Sequence, residues 1–417
     1  MTNPLSSRVA IAGVFDIANY GDQLFPLVAA YRLAKYGIEV VAISPVSQHT
    51  LRSDAVQPHD LTWLMTTDEA IDAVLIGGGN ILYNLRVDYT AIWQLDRSKF
   101  GRGQHTGLWL GASIAASFRD IPFGFNAPGV PYPFSGPVAQ DVLKPALEAA
   151  DVVAVRDEAS ARIARVAQAD VSVVPDTAID ISSMWPRRSL DPVLSAVQER
   201  LGLDGKPYAA IHLRANPGDD AHIADVARHL DAFCAGQQLQ AVLVAIGDDM
   251  GDSLTARSLQ AAMTSRAFVL DGSATLREVA AIIANAQAFV GGSLHGYITA
   301  AAYGVPGVIV TAHPQNKFSG FLKWMRRPQD FAGTWQKACQ TVTEQLWEGS
   351  KPVVPGEIRA ALDWHWDSVA EMVQNPDRRR KERAAFLRTM IGRASSRQGM
   401  GWLLSPSAAA AKSAGAT

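Results

Sequence analysis

The sequence predicts an α/β protein in which two Rossmann-like domains face a cleft and are followed by C-terminal helices. Short apolar runs alternate with helical patterns, which is typical of a parallel sheet covered by helices on both faces. The alternation stops near residue 181 and restarts near residue 208, so the chain carries two such series. Its 417 residues also exceed what one ordinary hydrophobic core organises.

The first series predicts short parallel strands separated by turns and helices. These strands are Val9–Gly13, Glu39–Ile43, Ala73–Ile76, Thr106–Leu110, Val152–Val155 and Val171–Val174. Residues 121–137 are rich in proline and glycine, and we interpret them as a loop that is either a substrate wall or a passive insertion. Residues 181–207 change in composition, and we interpret them as the link between the domains.

The second series repeats the pattern, and a helical pattern over Glu357–Val373 follows it. Its predicted strands are Tyr208–Leu213, Ala241–Ile246, Phe268–Leu270, Ala288–Val290 and Gly307–Val310. We therefore expect a first domain over residues 1–185, a second over 186–330, a helical extension over 331–403 and a disordered tail over 404–417.

Charge and composition limit the classes of function. Acidic and basic side chains nearly cancel, with 40 against 38, which argues against a general nucleic-acid binder. The two cysteines provide neither a disulfide framework nor a metal-ligand cluster. The first residues lack the basic start and apolar run of a signal peptide, and no uninterrupted apolar run of about 18 residues is present. We expect a cytoplasmic protein.

Residues 289–310, FVGGSLHGYITAAAYGVPGVIV, place one histidine in an almost wholly small and apolar stretch. A strand is followed by a glycine turn, in which Gly292 leaves room for a ligand, and Ser293 is a typical N-cap. The free N–H groups of the next helix favour a phosphate or carboxylate. Beside such an anion, His295 would be biased towards its protonated form and could act as an acid. The alternative is a structural histidine.

Other polar side chains also follow predicted strands, where parallel sheets bind their ligands. Arg214 could hold an anion through two hydrogen bonds, and Lys317 could add charge unless it is a solvated surface lysine. His212 points to the opposite face of its strand, and we interpret it as a packing residue. Arg156 is interpreted as part of an ion pair between the domains.

The first domain contributes two further motifs. NYGD places Asn19 and Asp22 after the first strand, and Asp22 is either a catalytic carboxylate or a cap of the next helix. GGGN supplies Gly78, Gly79 and Asn80, which are candidate substrate-binding residues or only a tight turn. Its spacing is not that of a dinucleotide fingerprint.

Taken in order, the motifs NYGDQLF, AVLIGGGNIL, VVAVRDEAS, VVPDTAID, YAAIHLR and AQAFVGGSLHGYITAAAYGVPGVIV resemble the polysaccharide pyruvyl transferase family, as does NKFSGFL after them. The resemblance covers roughly residues 9–325. It implies a GT-B-like fold and transfer of the pyruvyl group of phosphoenolpyruvate to a sugar of a polysaccharide or glycolipid, usually as a cyclic ketal. Ser293 stands where many members carry an arginine, which places more weight on Arg214 and Lys317 as anion ligands.

The residues also fit that chemistry by themselves. Phosphoenolpyruvate carries two anionic groups, and its methylene carbon must gain a proton that His295 could supply. No step requires a metal or an organic cofactor. One alternative is a GT-B glycosyltransferase that uses a nucleotide sugar, with Asp248 or Asp249 as the nearest ribose ligand. The other is a catalytically inactive glycan-binding relative.

The basic segment 377–397 contains eight Arg or Lys and two acidic residues. Phe386, Leu387, Met390 and Ile391 share one side of a predicted helix and are flanked by arginines. Such a stripe could lie on the inner, anionic surface of a membrane that presents a lipid-linked acceptor. The alternative is a helix that packs on the first domain.

Overall fold

The computed structural model describes residues 7–47, 52–83, 104–165, 170–214, 219–313 and 315–398, which form two parallel sheets. The first sheet contains β1 Ser7–Ala12, β2 Ile38–Ser44, β3 His59–Asp60, β4 Ala73–Ile76, β5 Phe123–Phe125, β6 Val152–Val155 and β7 Ser172–Val173. The second contains β8 Tyr208–His212, β9 Gln240–Val244, β10 Ala267–Leu270, β11 Ala288–Gly291, β12 Gly307–Val310 and β13 Phe331–Ala332.

Helices connect these strands and cover both sheets. Those of the first half are α1 Tyr20–Leu33, α2 Leu61–Thr66, α3 Gln104–Phe118, α4 Gly136–Val138, α5 Lys144–Ala149, α6 Glu158–Arg165, α7 Ile181–Met184 and α8 Arg187–Leu201. The later helices are α9 Asp220–Gln237, α10 Asp252–Ala262, α11 Leu276–Ala284, α12 Leu294–Ala302, α13 Asn316–Trp324, α14 Trp335–Glu348, α15 Gly356–Gln374 and α16 Arg380–Gln398.

Both sheets reverse their strand order at one point. The orders are β3-β2-β1-β4-β5-β6-β7 and β10-β9-β8-β11-β12-β13, and every pairing is parallel. The order therefore reverses between β1 and β4 and again between β8 and β11. Ligands of such sheets bind beyond the carboxyl ends of the strands at this reversal. The segments that follow these four strands are the natural location of a site.

The two halves interlock through the loop before α1 and the loop after β9. Tyr20 N donates to the Ile246 carbonyl oxygen at 2.9 Å, and Asp248 N donates to the Ala18 carbonyl oxygen at 2.9 Å. The guanidinium of Arg52, which is only 2 % exposed, also donates to the Ile246 carbonyl oxygen at 3.4 Å. These bonds attach first-half residues directly to the carboxyl edge of the second sheet.

A second polar contact and an apolar cluster extend this junction. Asp54 accepts hydrogen bonds from the backbone N–H groups of Leu276 and Arg277, at 2.7 and 3.0 Å, and so caps α11 from the first half. One continuous apolar cluster contains Leu24 of α1 together with Val279 of α11 and residues of both sheets. A large apolar junction of this kind opposes independent motion of two domains.

Two predictions about secondary structure are wrong. Thr106–Leu110 belongs to α3, because its apolar residues continue a helical pattern in which Trp109, Ala112 and Ala116 are buried. The 121–137 segment is not only a loop, since β5 lies within it between β4 and β6. Gly124 allows that pairing, because a Cβ there would lie 2.9 Å from the Val152 Cβ.

The predicted link over residues 181–207 is mostly helical. It contains α7 and α8, and α8 packs against α11 of the second half. Of its prolines, Pro186 precedes α8 and Pro192 lies within that helix. The boundary expected at residue 330 cuts through the second sheet, which continues to Ala332. The other domain boundaries stay predictions, and residues 404–417 lie outside the described part of the chain.

The C-terminal helices return to the first half. His365 of α15 lies 2.8 Å from the Asn126 side-chain oxygen, beside β5. On α16, Phe386 is buried against Phe123, and Arg383 is buried with its guanidinium 3.3 Å from an Asp151 oxygen. Phe386 and Met390 of the apolar stripe therefore pack on the first half, as the alternative to membrane contact requires, whereas Ile391 is exposed. None of the described helices is long and apolar enough to span a membrane.

Candidate active site

A small cavity of about 150 Å³ lies at the carboxyl edges of both sheets, where the strand orders reverse. The two halves of the chain each supply part of its wall. Nine of the ten residues predicted for the site line it: Asn19, Asp22, Gly79, Asn80, Arg214, Gly292, Ser293, His295 and Lys317. Gly78 does not line it, because this glycine faces inwards and a Cβ there would lie 2.3 Å from the Phe25 ring.

The second-sheet wall combines a helix N-terminus with two cations. Ser293 caps α12 by accepting the Gly296 N–H at 3.2 Å, and the first turn of α12 carries no acidic side chain. The first N–H groups of a helix have no partner inside it, so they can hold an anion. Arg214 and Lys317 line the same cavity. Burial, together with the charges of Arg156 and Arg214, lowers the pKa of Lys317 to about 8.

His295 lies at the junction of the two walls. Its Nε2 is 3.6 Å from an Asp176 oxygen, which is an ion-pair distance but longer than a hydrogen bond. Within the described part of the chain this buried nitrogen has no hydrogen-bond partner. The imidazole also meets the Phe25 ring edge-on, with 5.5 Å between ring centroids. His295 is therefore held in place and retains a nitrogen that can donate to a ligand.

Gly21 permits this position of the histidine. A Cβ on Gly21 would lie 1.8 Å from His295 Nδ1, so any larger residue would displace the ring. Asn19 holds the same turn by accepting the Gly21 N–H at 3.0 Å. The sequence analysis named Asn19 as a substrate ligand but overlooked Gly21, although both belong to the NYGD motif.

The first-sheet wall carries a carboxylate at its helix N-terminus. Asp22 lies in the first turn of α1, where burial raises its pKa to about 6 despite the nearby charges of His295 and Lys317. It does not cap the helix, since Asn19 does so. Gly79 gives Asp22 its space, because a Cβ at that glycine would lie 2.7 Å from the Asp22 Oδ1. A carboxyl with a pKa near neutrality is suited to accepting a proton.

Arg156 is a site residue that the sequence analysis missed. It lines the cavity and is 4 % exposed, and its guanidinium donates to the Asn80 side-chain oxygen. Its Nη1 lies 3.4 Å from the Asp176 oxygen that also faces His295. The predicted ion pair between domains is wrong for Arg156, because its carboxylate partners Asp157 and Asp176 belong to the first half.

Asp176 thus joins Arg156 and His295. Burial would raise the pKa of Asp176, but its contacts with His295 and Arg156 outweigh that effect and lower the pKa below its ordinary value. The carboxylate therefore stays charged and orients both side chains. The motif VVPDTAID contained this residue, directly after a predicted strand, but its charge was not assigned to the site.

His212 also belongs to the cavity, which corrects its interpretation as a packing residue. Its Nε2 lies 2.9 Å from an Asp252 oxygen, and the same oxygen accepts the Gly247 N–H at 2.6 Å. Burial opposes ionisation of Asp252, but His212 and the backbone N–H groups lower its pKa below the ordinary value. His212 is the last residue of β8, so it reaches the carboxyl edge even though its side chain is buried.

No prepared set of metal ligands is present in the described ranges. No group of three or more His, Cys, Asp or Glu side chains is placed there to hold a metal ion. Cys234 and Cys339 are both free and buried in the second half, and burial raises the pKa of each thiol to about 12. Neither is a nucleophile of the cavity.

A sequence model of the polysaccharide pyruvyl transferase family matches residues 19–314. That span is well over half of the 417 residues. The chain belongs to this family. The match confirms the resemblance and identifies a transferase, and it includes the cavity residues from Asn19 to His295 but not Lys317. A comparison with curated protein sequences gives no match.

Solved structures similar to this pyruvyl transferase family member include sugar-nucleotide epimerases. The UDP-N-acetylglucosamine 2-epimerase of Rickettsia bellii aligns with a TM-score of 0.52 and 12% identity, covering 89% of this chain and 97% of its own. That of Methanocaldococcus jannaschii, in complex with UDP-GlcNAc and UDP, aligns with a TM-score of 0.54 and 10% identity, covering 86% and 97%. At such identities the likeness shows the fold alone, and the predicted GT-B-like α/β fold is confirmed.

Proposed function

We propose that this transferase moves the pyruvyl group of phosphoenolpyruvate onto two hydroxyls of a glycan sugar, forming a ketal and releasing phosphate. The observation that carries the proposal is the composition of one small cavity. It brings Arg156, Arg214 and Lys317 to an open helix N-terminus, with His295 and Asp22 beside them. Such a set matches a compact ligand with two anionic groups and a reaction that needs both a proton donor and a proton acceptor.

The cavity size supports this donor over a nucleotide sugar. Drug-sized ligands occupy pockets of about 300–1,000 Å³, whereas this cavity measures about 150 Å³. The candidate ribose ligands of the alternative are also engaged within the protein. Asp248 Oδ1 accepts the Ser253 N–H at 3.2 Å, and Asp249 accepts the Ala18 N–H. Neither carboxylate is placed to recognise a ribose.

The proposed reaction begins with attack on the donor. Asp22 accepts the proton of the first sugar hydroxyl as its oxygen bonds to the central carbon of phosphoenolpyruvate. His295 donates a proton to the methylene carbon, which becomes a methyl group, so the double bond is consumed. Asp176 keeps the imidazole oriented. The three cations and the α12 N–H groups hold the carboxylate and the phosphate throughout.

Ring closure completes the balance. The second sugar hydroxyl bonds to the same carbon, the C–O bond to phosphate breaks, and phosphate departs with the electron pair of that bond. The proton of the second hydroxyl leaves with the phosphate, and the proton that Asp22 accepted first is returned through solvent to His295, so both side chains regain their starting protonation. The products are one cyclic ketal and one inorganic phosphate, without any change of oxidation state.

A lipid-linked acceptor is a further part of the proposal, and the structure changes how to test it. Phe386 is buried, so membrane contact would depend on exposed arginines such as Arg380 and Arg388. Truncation before α16 would remove the buried contact between Arg383 and Asp151 and unfold the control. Sedimentation with anionic vesicles at low and physiological salt should instead compare wild type with Arg380→Gln/Arg388→Gln. Wild type should pellet with the vesicles and the variant should not; if both stay in the supernatant, α16 has a structural role and the membrane contact is ruled out.

The donor assignment is tested by calorimetry on the full chain. Phosphoenolpyruvate should release binding heat, whereas UDP-glucose, UDP-N-acetylglucosamine and GDP-mannose should not. Binding of a nucleotide sugar without binding of phosphoenolpyruvate would establish the glycosyltransferase alternative. Binding of phosphoenolpyruvate without phosphate release on any oligosaccharide of a broad panel would favour the inactive glycan-binding relative.

A further inference from the structure

A second, larger cavity lies at the opposite end of the first sheet from the active site. It measures about 490 Å³ and includes residues on both sides of the starts of β6 and β7. Asp151 directly precedes β6 and Asp170 lies two residues before β7, so this cavity is at the amino edge of the strands. The proposed reaction uses the carboxyl edge and none of these residues.

An exposed tryptophan forms part of this cavity. Trp364 of α15 is 48 % exposed, although the other tryptophan on this helix, Trp366, is fully buried. An exposed indole beside a cavity offers a flat apolar face together with one N–H donor. Exposed surface of this kind on a polar background is typical of a recognition site.

The polar lining contains both signs of charge. Glu148, Asp151, Asp170 and Glu371 provide carboxylates, and Arg378 and Arg379 provide guanidinium groups. The Arg378 and Glu371 side chains approach only to 3.9 Å, and both are more than half exposed. At that distance they are not hydrogen-bonded to each other, so donors and acceptors on both remain able to bind a ligand.

This mixture of charges limits the classes of ligand that can bind in the cavity. The four carboxylates oppose binding of a phosphate or other anion, and the two guanidinium groups oppose binding of a cation. A hydroxyl both donates and accepts hydrogen bonds, so a neutral polyhydroxylated ligand can use carboxylates and guanidinium groups together. The C–H face of a pyranose ring can also cover the indole of Trp364. These features together match a neutral sugar.

We propose that this cavity is a second carbohydrate site, which holds neutral sugar residues of the acceptor glycan away from the active site. The idea rests on the proposed function only in taking the acceptor to be a glycan. Trp364 packs against a sugar ring, while Glu371, Arg378 and the neighbouring carboxylates bind its hydroxyls. A polymer held at this point would remain attached to the enzyme between successive transfers on neighbouring repeats.

Binding of neutral glycans to the full chain, without donor, tests the proposal. The probe is a printed array of neutral oligosaccharides of four or more sugar units, compared among wild type, Trp364→Ala and a matched control, Trp347→Ala. Trp347 is 77 % exposed on α14, so its loss should not change the array signal. The signal of Trp364→Ala should fall at least tenfold, and Arg378→Gln should weaken it without removing a large side chain.

Two results would overturn the proposal. One is the absence of wild-type binding to every neutral glycan on the array; the other is undiminished binding by Trp364→Ala. A third variant, Asp22→Asn, separates this site from the active site, since its array signal should persist. A signal lost in Asp22→Asn but kept in Trp364→Ala would place glycan binding in the active cavity alone. Calorimetry with phosphoenolpyruvate on the same variants distinguishes a wrong second site from a wrong donor assignment. Trp364→Ala should bind phosphoenolpyruvate normally whether or not the second site exists.

Discussion

The two walls of the active cavity use the same architectural element for opposite purposes. Each wall places a helix N-terminus after a strand at the reversal point of its sheet. At α1 the positive end of the helix already faces the protein's own carboxylate, Asp22, in its first turn. At α12 the first turn carries no acidic residue, and Arg214 and Lys317 lie nearby. The N-terminus of α12 is thus open to an anion, whereas that of α1 carries the candidate proton acceptor.

The largest effect is expected from a substitution that removes the proton donor between the walls. His295→Gln should lower kcat by about 10²–10⁴-fold, because a lost general acid typically costs that much. Affinity for phosphoenolpyruvate should change little, since the cations remain. The measurement is phosphate release at saturating donor, with His222→Gln on α9 as the control. A nearly normal kcat would leave His295 with a purely structural role.

The next largest effect is expected from a substitution that displaces the same histidine but leaves the residue itself in place. Gly21→Ala would place a methyl group 1.8 Å from the His295 Nδ1 position, so the ring must move. A misplacement of about 1 Å in a reacting group can cost about 10²-fold in rate. The loss should appear in kcat, with donor affinity retained in calorimetry. Gly236→Ala is the matched control, since a Cβ there meets no atom within 4 Å; equal activity of the two variants would contradict the prediction.

A third change weakens the anion-binding wall alone. Arg214→Gln should reduce phosphoenolpyruvate affinity by about 1.5–3 kcal/mol, roughly 10- to 150-fold, which is the usual worth of hydrogen bonds to a charged group. Titration calorimetry measures the loss directly. Arg228→Gln is the control, because Arg228 is exposed on α9. Within the described residues its ion pair is with Asp225 of the same helix. Donor binding by Arg214→Gln that matches wild type would remove Arg214 from the site.

The smallest effect concerns stability and belongs to the opposite wall. Asp22 has a pKa raised by burial from 3.8 to about 6, so its ionised form destabilises the fold above that pH. Asp22→Asn should therefore stabilise the protein at pH 7.5, by about 1–2 kcal/mol after allowing for partial hydration in the cavity, while abolishing most turnover. The gain in thermal unfolding midpoint should shrink as the pH falls towards 4.

The exposed Asp68→Asn variant provides the baseline for that comparison, since its carboxylate is in water in both states. A gain for Asp22→Asn that is independent of pH would show that the carboxylate is not the source of the instability.

The site residues that follow strands could be predicted from the sequence, because parallel sheets bind their ligands beyond the carboxyl ends of the strands. Asp22, Arg214 and His295 were each found as polar residues after a strand, without knowledge of which strands are neighbours. The contact of Asp176 with both His295 and Arg156 could not be found in this way. It depends on three separate strand ends converging within 3.6 Å, which only the packed sheets determine.

Other predictions were wrong because they were based on only a few consecutive residues. The five residues Thr106–Leu110 have the composition of a strand, and only the longer repeat of buried residues reveals the helix. His212 was assigned by alternation along its strand, but a residue at the strand end is no longer restricted to one face of the sheet. Its partner Asp252 lies 40 residues further along the chain, beyond the reach of any local pattern.

The interlock between the two halves has a consequence for engineering. Exchanging halves between family members is an obvious way to graft a new acceptor preference onto a known donor site. Here residues 18–20 pair with 246–248, and Asp54 caps α11, so a simple crossover between the sheets would mismatch both contacts. A chimaera should transplant these segments as complementary pairs. For the same reason, a chain nicked between the sheets should keep its two fragments together in solution, as a split enzyme that reassembles without a tether.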